Sequence, residues 1–194
     1  MIDDSTLLLT DRLLIALPSE RFACRLASYV IENRQHLDPW EPRRPESYYT
    51  VDHWRDDMRR ASDEYDAGAS LRLILLDRRD PDGPVLGLCN YRNFVRGAFH
   101  SCHLGYSLDR LQQGSGLMYE ALDASIKFVF DALNMHRIMA NYIPTNERSE
   151  RLLTRLGFEK EGYAREYLNI GGRWQDHVLT SKINAGWKPP EPEA

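Results

Sequence analysis

The feature of this sequence that most constrains its fold is a short glycine loop that leads directly into a helix. The segment 111–121 reads LQQGSGLMYEA and follows a strand-like segment at 103–108. Glycine adopts a positive φ at little steric cost, so Gly114 and Gly116 allow backbone N–H groups to point into the loop. The helix adds its unpaired first-turn N–H groups and the positive end of its dipole. This turn therefore favours a phosphate or pyrophosphate ligand.

Two familiar phosphate-binding motifs do not fit this loop. A P-loop has Lys followed by Ser or Thr after its second glycine, whereas Leu117 and Met118 stand at these positions. A dinucleotide-binding motif has a third glycine and follows the first strand of a βαβ unit. This loop lies past the middle of the chain, and many glycines before a helix only end a strand tightly. The class of ligand must therefore come from other parts of the sequence.

Composition excludes several classes of protein. The chain has 194 residues, of which 42% are hydrophobic and 28% charged, which is typical of one soluble domain with a sizeable core. A formal net charge of −4 disfavours a dedicated nucleic-acid binder and suits a basic substrate. No apolar run reaches the roughly 18 residues of a membrane span, and the N-terminus is acidic where a signal peptide is basic. The cysteines and histidines show no ligand or disulfide spacing, so we expect a cytoplasmic protein without a metal.

Hydrophobic periodicity and turn residues predict alternating strands and helices. Strands are expected at 7–17 with an interruption at 10–12, and at 71–76, 85–94, 100–108, 137–143, 158–168 and 174–183. Helices are expected at 19–36, 50–67, 117–132 and 146–156, with Ser19 and Thr50 as N-caps of the first two. This order predicts an α/β (α+β) fold with a mostly antiparallel sheet over one domain, 1–188. The proline-rich segment 189–194 is expected to be a flexible tail.

The glycine loop, between the fourth strand and the third helix, resembles that of the GNAT family of acyl-CoA N-acyltransferases. The family pattern is Gln/Arg-x-x-Gly-x-Gly/Ala; the two glycines match, and Leu111 stands at the Gln/Arg position. A second block, from Asn146-x-x-Ser149 to Leu-Gly-Phe-x-x-Glu-Gly at 156–162, resembles the branch that acetylates N-termini of ribosomal proteins. Segments 37–42, 93–97, 136–142 and 172–180 resemble a member that acts on an N-terminal alanine of a small-subunit ribosomal protein.

The resemblance implies a GNAT fold that holds acetyl-CoA at splayed middle strands. The pantetheine arm would pair with the strand before the loop, which in the family carries a bulge, and the pyrophosphate would sit on the loop amides. The implied cofactor-binding residues are Tyr106, Ser107, Leu108, Gln113, Gly114, Ser115, Gly116, Leu117, Asn146 and Ser149.

The resemblance also implies direct attack of a neutral amine on the thioester, in a ternary complex. Ser149 is the candidate acid near the sulfur; alternatively, Asn146 and Ser149 are only a helix cap and a polar first-turn residue. The general base is open. Glu166 is one hypothesis, because strand alternation would place it on the same face as Leu168, the position where related enzymes carry a carboxylate. Glu41 is the other, and a water or backbone carbonyl is an alternative to both.

Candidate substrate-binding residues are Trp40, Glu41 and Tyr142, with Trp40 alternatively a packed loop anchor. The implied acceptor is the N-terminus, with alanine favoured, of a basic ribosomal protein, and the enzyme would be a monomer or a homodimer. Two other functions remain open at this point. One is a GNAT enzyme that acetylates a polyamine, amino acid or antibiotic, and the other is a non-catalytic acyl-CoA-binding module.

Overall fold

The computed structural model describes residues 5–189, whose strands form an eight-stranded sheet with helices on both faces. The strands are β1 (Thr6–Leu9), β2 (Leu13–Ala16), β3 (Leu71–Asp77), β4 (Gly87–Val95), β5 (Ser101–Leu108), β6 (Arg137–Met139), β7 (Glu159–Ile170) and β8 (Arg173–Ile183). The α-helices are α1 (Ala23–Glu32), α2 (Arg34–Leu37), α3 (Val51–Asp66), α4 (Leu117–Asp131) and α5 (Glu147–Arg155).

The strands lie in the order β1-β2-β3-β4-β5-β6-β8-β7. Every pairing described between neighbours is antiparallel except β5 with β6, which is parallel and is connected through α4. The mixed, mostly antiparallel sheet expected from the sequence is confirmed. The parallel pair requires a crossover, and the helix that makes this crossover is the one that begins at the glycine loop.

Each face of the sheet packs on its own hydrophobic core. On one face, α4 and α5 cover a cluster that includes Tyr91, Leu122 and Leu153. On the other face, α1 and α3 cover a cluster that includes Phe22 and Trp54. Alternate side chains along each central strand belong to opposite cores, as the strand geometry requires. A ligand between β5 and β6 therefore lies between two helical layers.

The prediction of one continuous helix over 19–36 was wrong. Ser19 makes no side-chain cap, a 3₁₀ turn precedes α1, and the helix breaks at Asn33, whose φ is −99° and ψ 4°. The Asn33 side chain is wholly buried and bonds to a segment far along the chain. Periodicity alone does not show such a break, because both halves keep their apolar face. The Thr50 cap is confirmed, since its Oγ1 accepts a hydrogen bond from the backbone N–H of His53 at 3.3 Å.

The predicted sixth strand, 137–143, is shorter as a regular strand and ends at Met139. The backbone of its continuation pairs with β8, where the Ala140 and Tyr142 N–H groups donate to backbone oxygens at 3.0 and 3.2 Å. The predicted tail, 189–194, lies outside the described residues apart from Pro189. The domain boundary at 188 therefore stays a prediction.

The two halves of the sheet separate between β5 and β6. Their parallel pairing covers Ser101–His103 against Arg137–Met139, and none is described beyond it, although β5 continues to Leu108. The bulge expected in the strand before the loop corresponds to an irregularity of the β4–β5 pair between Arg92 and Val95, and from His103 to Leu108 β5 pairs regularly with β4. The gap opens instead because residues 140–142 follow β8 while β5 follows β4.

Candidate active site

The glycine loop has the conformation that its sequence predicts. Gly114 and Gly116 have φ values of +76° and +81°, and Gly116 caps α4 in the left-handed region. A Cβ at Gly114 would meet nothing within 4 Å, so the backbone conformation and not space demands glycine there. Leu111, at the family's Gln/Arg position, is 72% exposed, and its backbone N–H is held by Asp109 Oδ1 at 2.7 Å. The loop therefore forms without the missing side chain.

A buried amide anchors the start of this loop to the helical layer on the α1 face. Asn33 Oδ1 accepts from the Arg110 N–H at 2.9 Å, and its Nδ2 donates to Asp109 Oδ2 at 2.9 Å. Gln113 Nε2 also lies 2.7 Å from His36 Nε2. These contacts join residues more than 75 positions apart. They fix the position of the loop relative to β5.

An ion pair holds the outer side of the loop. Arg12 Nε donates to Glu120 Oε2 at 2.6 Å, and its Nη1 donates to the Ser115 carbonyl at 2.8 Å. An open cavity of about 690 Å³ lies beside these groups and continues between α4 and α5, where the Arg155 guanidinium lies 3.9 Å from the centre of the Tyr119 ring. A cationic group, an aromatic face and free helix N–H groups are suitable contacts for a phosphorylated nucleotide.

Two hydroxyl groups meet at the gap between the half-sheets. Tyr106 Oη, from β5, donates to Ser149 Oγ, from the first turn of α5, at 3.0 Å. Burial raises the pKa of Tyr106 to about 12, so this hydroxyl stays protonated at neutral pH. Asn146 caps α5 by accepting from the Ser149 N–H at 3.1 Å. The cap thus fixes Ser149 at the edge of the gap, where its hydroxyl stays available to Tyr106.

The opposite side of β5 carries a hydroxyl and a nearby carboxylate. Tyr29 Oη, from α1, donates to Ser107 Oγ at 2.9 Å. Burial raises the pKa of Tyr29 and raises that of Tyr48 to about 12, and the negative charge of Glu41 raises both further. Glu41 therefore lies within electrostatic reach of both tyrosines, and its Oε2 accepts from Arg44 at 3.1 Å.

The geometry of loop, gap and α5 can be compared with known proteins. The acetyltransferase (GNAT) domain family matches residues 12–159 of this chain. The chain belongs to the GNAT family. It is an acetyl-CoA-dependent N-acetyltransferase, and the glycine loop and the gap beside β5 form its candidate cofactor cleft.

Several relatives match nearly the whole GNAT chain. The ribosomal protein uS5-alanine N-acetyltransferase of Escherichia coli is 47% identical over 182 residues, which cover 94% of this chain and 93% of that protein. The solved ribosomal-protein-S5-alanine acetyltransferase of Vibrio fischeri is 40% identical, with a TM-score of 0.90 and coverage of 94% and 98%. Mycobacterium smegmatis RimJ, solved with CoA-disulfide, is 27% identical, with a TM-score of 0.81 and coverage of 88% and 81%.

In this GNAT chain, the proposed acceptor loop contacts the tip of the last hairpin. The Gly171 N–H donates to the Glu41 carbonyl at 3.0 Å, and Arg43 Nε donates to the Gly171 carbonyl at 3.1 Å. Trp40, between α2 and this contact, is 38% exposed, so part of its ring faces solvent. The loop and hairpin therefore form one continuous rim.

Tyr142 and Glu166 lie in surroundings that differ from those expected from the sequence. Tyr142 is 7% exposed and packs in the core under α5, with its Oη donating to Glu150 Oε1 at 3.3 Å, so it does not line an open cleft. Glu166 is exposed and has a φ of +48°, inside a register shift between Ala164 and Leu168. The argument from strand alternation was wrong, because β7 is irregular across the residues to which it was applied.

The residues that sequence reasoning missed are those that join distant segments. Asn33, Tyr29, Arg12 and Glu120 each fix the cofactor cleft through a contact with a residue at least 75 positions away. A polar residue in the apolar periodicity of a helix, such as Asn33, was the one available signal. Within residues 5–189, no three His, Cys, Asp or Glu side chains are grouped so as to hold a metal ion. The helices of that range are also too short or too polar to cross a membrane.

Proposed function

We propose that this enzyme transfers the acetyl group of acetyl-CoA to the N-terminal α-amino group, preferably of alanine, of a ribosomal protein. The observation that carries the proposal is that the hydroxyls of Tyr106 and Ser149 meet at the gap beside β5. The loop that carries Glu41 contacts the hairpin tip at Gly171 and supplies the rim proposed for the acceptor. The 47% identity to the uS5-alanine enzyme of E. coli over 94% of the chain supports the same acceptor. A cytoplasmic location is part of this proposal, since ribosomes are there.

In the proposed ternary complex, the chain's own residues hold the cofactor at three places along its length: the pyrophosphate, the pantetheine arm and the sulfur. The amides around residues 113–117 and the first turn of α4 accept the pyrophosphate. The free edge of β5 beyond His103 pairs with the pantetheine arm, since no strand described occupies that edge. Tyr106 and Ser149 lie at the level of the sulfur. The thioester supplies the activated acetyl group.

The acid in this proposal is Ser149, supported by Tyr106. When the amine has attacked and the C–S bond breaks, Ser149 Oγ–H gives a proton to the leaving thiolate. Tyr106 Oη, which already donates to Ser149 Oγ, passes its own proton to that oxygen in the same step, and solvent restores the Tyr106 proton after CoA leaves. Buried surroundings strengthen the hydrogen bond of Tyr106 to Ser149 and that of Ser149 to the thiolate, compared with the same bonds in water.

The base is assigned to Glu41 in preference to Glu166. Glu41 acts electrostatically on Tyr29, which bonds to Ser107 of β5, so its carboxylate belongs to the acceptor side of the gap. An α-amino group has a pKa near 8, so a few per cent is neutral at physiological pH and the demand on the base is small. A lysine acceptor, with a pKa near 10.4, would demand more.

Thiol release from acetyl-CoA with short peptides tests the proposal. The acceptors are peptides with free N-terminal Ala, Ser or Met, with an N-blocked Lys peptide and spermidine as controls. We expect turnover on the Ala peptide and mass-spectrometric acetylation at its α-amine. Turnover on spermidine alone would contradict the proposal and identify a small-amine enzyme. Bound acetyl-CoA with no turnover on any acceptor, including intact ribosomal proteins, would identify a non-catalytic module.

Glu41→Gln and Glu166→Gln form a matched pair for the base. We expect Glu41→Gln to lower kcat/KM about tenfold and to flatten its rise with pH below neutrality. Glu166→Gln should change kcat/KM by less than about twofold and should leave its rise with pH as in wild type. If both variants retain the wild-type pH profile, a water or backbone carbonyl accepts the proton.

A further inference from the structure

A row of three basic residues, two arginines and a histidine, crosses the sheet on the α3 face, beside the gap. Strand register places Arg72 of β3 opposite Asn90 of β4, and Arg92 of β4 directly opposite His103 of β5. Directly opposed residues have Cβ atoms about 5 Å apart and diagonal neighbours lie about 7–8 Å apart, so Arg92 has Arg72 and His103 as neighbours. His103 is also the last β5 residue that pairs with β6. The row therefore ends where the gap begins.

The members of this row differ in how their charge is balanced. Arg72 is 8% exposed and donates to the Asp57 carboxylate on α3, and Asp57 also accepts from Arg60 at 2.9 Å. Arg92 is exposed, and among residues 5–189 its guanidinium has neither a hydrogen bond nor a carboxylate within 4 Å. Partial burial and the nearby positive charges of Arg72 and Arg44 lower the pKa of Arg92. The carboxylates of Asp57 and Glu64 act on it electrostatically in the opposite sense, but neither contacts it.

His103 adds a second unsatisfied group to this row. Its Nδ1 is buried and has no hydrogen-bond partner, and burial lowers the pKa of the ring, so the neutral imidazole is favoured. A neutral imidazole offers one N–H donor. Arg92 and His103 are directly opposed across β4 and β5, so their side chains lie side by side on the same face of the sheet. A planar guanidinium at such a place is suited to bidentate contact with a carboxylate.

On the basis of the proposed function, we propose that Arg92, assisted by His103, binds an acidic side chain at the third or fourth residue of the acceptor. In the proposed complex Tyr106 lies beside the thioester, and His103 lies three residues away along β5. At about 3.3 Å per residue this separation is about 10 Å. An extended acceptor chain covers the same distance in about three residues. An overall basic acceptor remains compatible, because only one position near its N-terminus is read.

A peptide series tests this subsite through both turnover and binding. The peptides begin with Ala and carry Glu, Gln or Lys at residue three or four, and they are measured for kcat/KM and for binding to the enzyme–CoA complex. Charge-assisted hydrogen bonds predict that wild type prefers Glu over Gln about tenfold, mainly in KM. The preference should decrease as salt rises from 50 to 500 mM, because the site is open to solvent.

Arg92→Gln should abolish the preference for Glu while kcat on the Gln peptide stays within about twofold. Arg92→Lys keeps the charge without the planar fork and should keep part of the preference. Arg59→Gln is the matched control, since it removes an equal charge from an exposed arginine that pairs with Glu20 on the outer surface. Arg92→Glu should reverse the order and favour the Lys peptide. Thermal melts identify any variant that fails to fold.

The possible outcomes separate this inference from the proposed function. Equal kcat/KM for Glu and Gln peptides in wild type would overturn the subsite and leave N-terminal acetylation standing. A preference for Glu that survives in Arg92→Gln would also overturn it. Tighter binding of acidic peptides that depends on Arg92, but without acetylation of any of them, would support the subsite and contradict the proposed function. Neither preference nor turnover would overturn both.

Discussion

The two sides of the cleft are built by different kinds of interaction. The cofactor side consists of β5, the glycine loop and the starts of α4 and α5, and its shape comes from two glycines with positive φ and the buried amide of Asn33. The acceptor side consists of the loop at 38–45, the hairpin tip and the α3 face of the sheet. Charged pairs shape it: Glu41 with Arg44, and Asp57 with Arg72.

This difference indicates how each side responds to change. Backbone conformations depend little on pH or salt, so the glycine loop keeps its shape under most conditions. The charged contacts of this side, the Asp109 carboxylate with Asn33 and the pair of Arg12 with Glu120, hold the edges of the loop. Charged pairs depend on both pH and ionic strength, and exposed ones contribute little to stability. The acceptor side can therefore vary its charges, and with them its acceptor, while the cofactor side stays fixed.

The largest expected effect is on the cofactor side. Ser149→Ala should lower kcat about 10³-fold, because the leaving thiolate loses its acid. KM for acetyl-CoA and the melting temperature should stay close to wild type, since Asn146 bonds to the backbone N–H of residue 149, which alanine retains. Steady-state kinetics and thermal melts measure both.

Tyr106→Phe is the control for this change, and we expect it to lower kcat by about tenfold because only the donor to Ser149 is lost. A Ser149→Ala enzyme within twofold of wild type would remove Ser149 from the chemistry and leave it as a polar residue beside the cap.

Next in size is the buried ion pair of the acceptor side. Asp57→Asn should lower the free energy of unfolding by about 3 kcal/mol at pH 7, because Arg72 is left buried without its partner. Burial alone would raise the pKa of Asp57, but hydrogen bonds from Arg72 and Arg60 outweigh it and lower the pKa. A lowered folded-state pKa stabilises the fold above the unfolded value near 3.9, and this stabilisation is lost as pH falls through the folded value.

Urea melts of wild type and Asp57→Asn at pH 7, 5 and 3 measure this dependence. The difference between them should be full at pH 7 and 5 and should shrink at pH 3. The exposed pair of Asp52 with Arg55 supplies the control, and Asp52→Asn should cost less than about 0.5 kcal/mol. A difference that stays constant with pH would assign the effect of Asp57 to packing.

The anchor of the cofactor side is expected to be weaker than that ion pair and independent of salt. Asn33→Ala should cost about 2 kcal/mol, because the Arg110 N–H and Asp109 Oδ2 lose their partner. KM for acetyl-CoA should rise about tenfold, while KM for the acceptor peptide changes less. Kinetics together with hydrogen exchange at the Arg110 amide would show whether the loop has loosened; unchanged exchange would contradict the anchoring role.

A smaller effect is expected from backbone strain in the glycine loop. Gly114→Ala should cost about 1 kcal/mol, since alanine adopts positive φ at that penalty, and should raise KM for acetyl-CoA several-fold. Gly68 is a matched control, because its φ is +66°, a Cβ there also meets nothing within 4 Å, and it lies at the end of α3. Gly68→Ala should show the same loss of stability with unchanged KM; equal KM values for both variants would count against the loop as the cofactor seat.

The smallest expected effect on stability is at the rim of the acceptor side. Arg44→Ala should change the free energy of unfolding by less than about 1 kcal/mol, because its pair with Glu41 is partly exposed. KM for the acceptor peptide should change and become less sensitive to salt, with KM for acetyl-CoA unaffected. A change in KM for acetyl-CoA would show that the cofactor side and the acceptor side are coupled.

Most of the secondary structure was predictable because it depends on local signals. The helix after the glycine loop, the Thr50 cap and the final hairpin at Gly171–Gly172 follow from periodicity and from residues that favour caps or positive φ. The break of the first helix at Asn33 and the irregular stretch around Glu166 were not predictable. Each is stabilised by a side chain from elsewhere, since the Glu166 N–H donates to Asp176 Oδ1 at 2.8 Å.

The sequence by itself determined the local parts of the cofactor side, because a loop conformation set by Gly114 and Gly116 and a helix cap set by Asn146 need only neighbours within a few residues. The anchoring of that loop by Asn33 and Arg12 joins distant segments, and the tertiary structure decided it. The tertiary structure alone decided the acceptor side. The separation of β5 from residues 140–142 and the placement of Glu41 and Arg92 depend on which strands pair and in which register. Those choices are made by the burial of two cores on opposite faces of the sheet, a property of the whole chain and not of any segment.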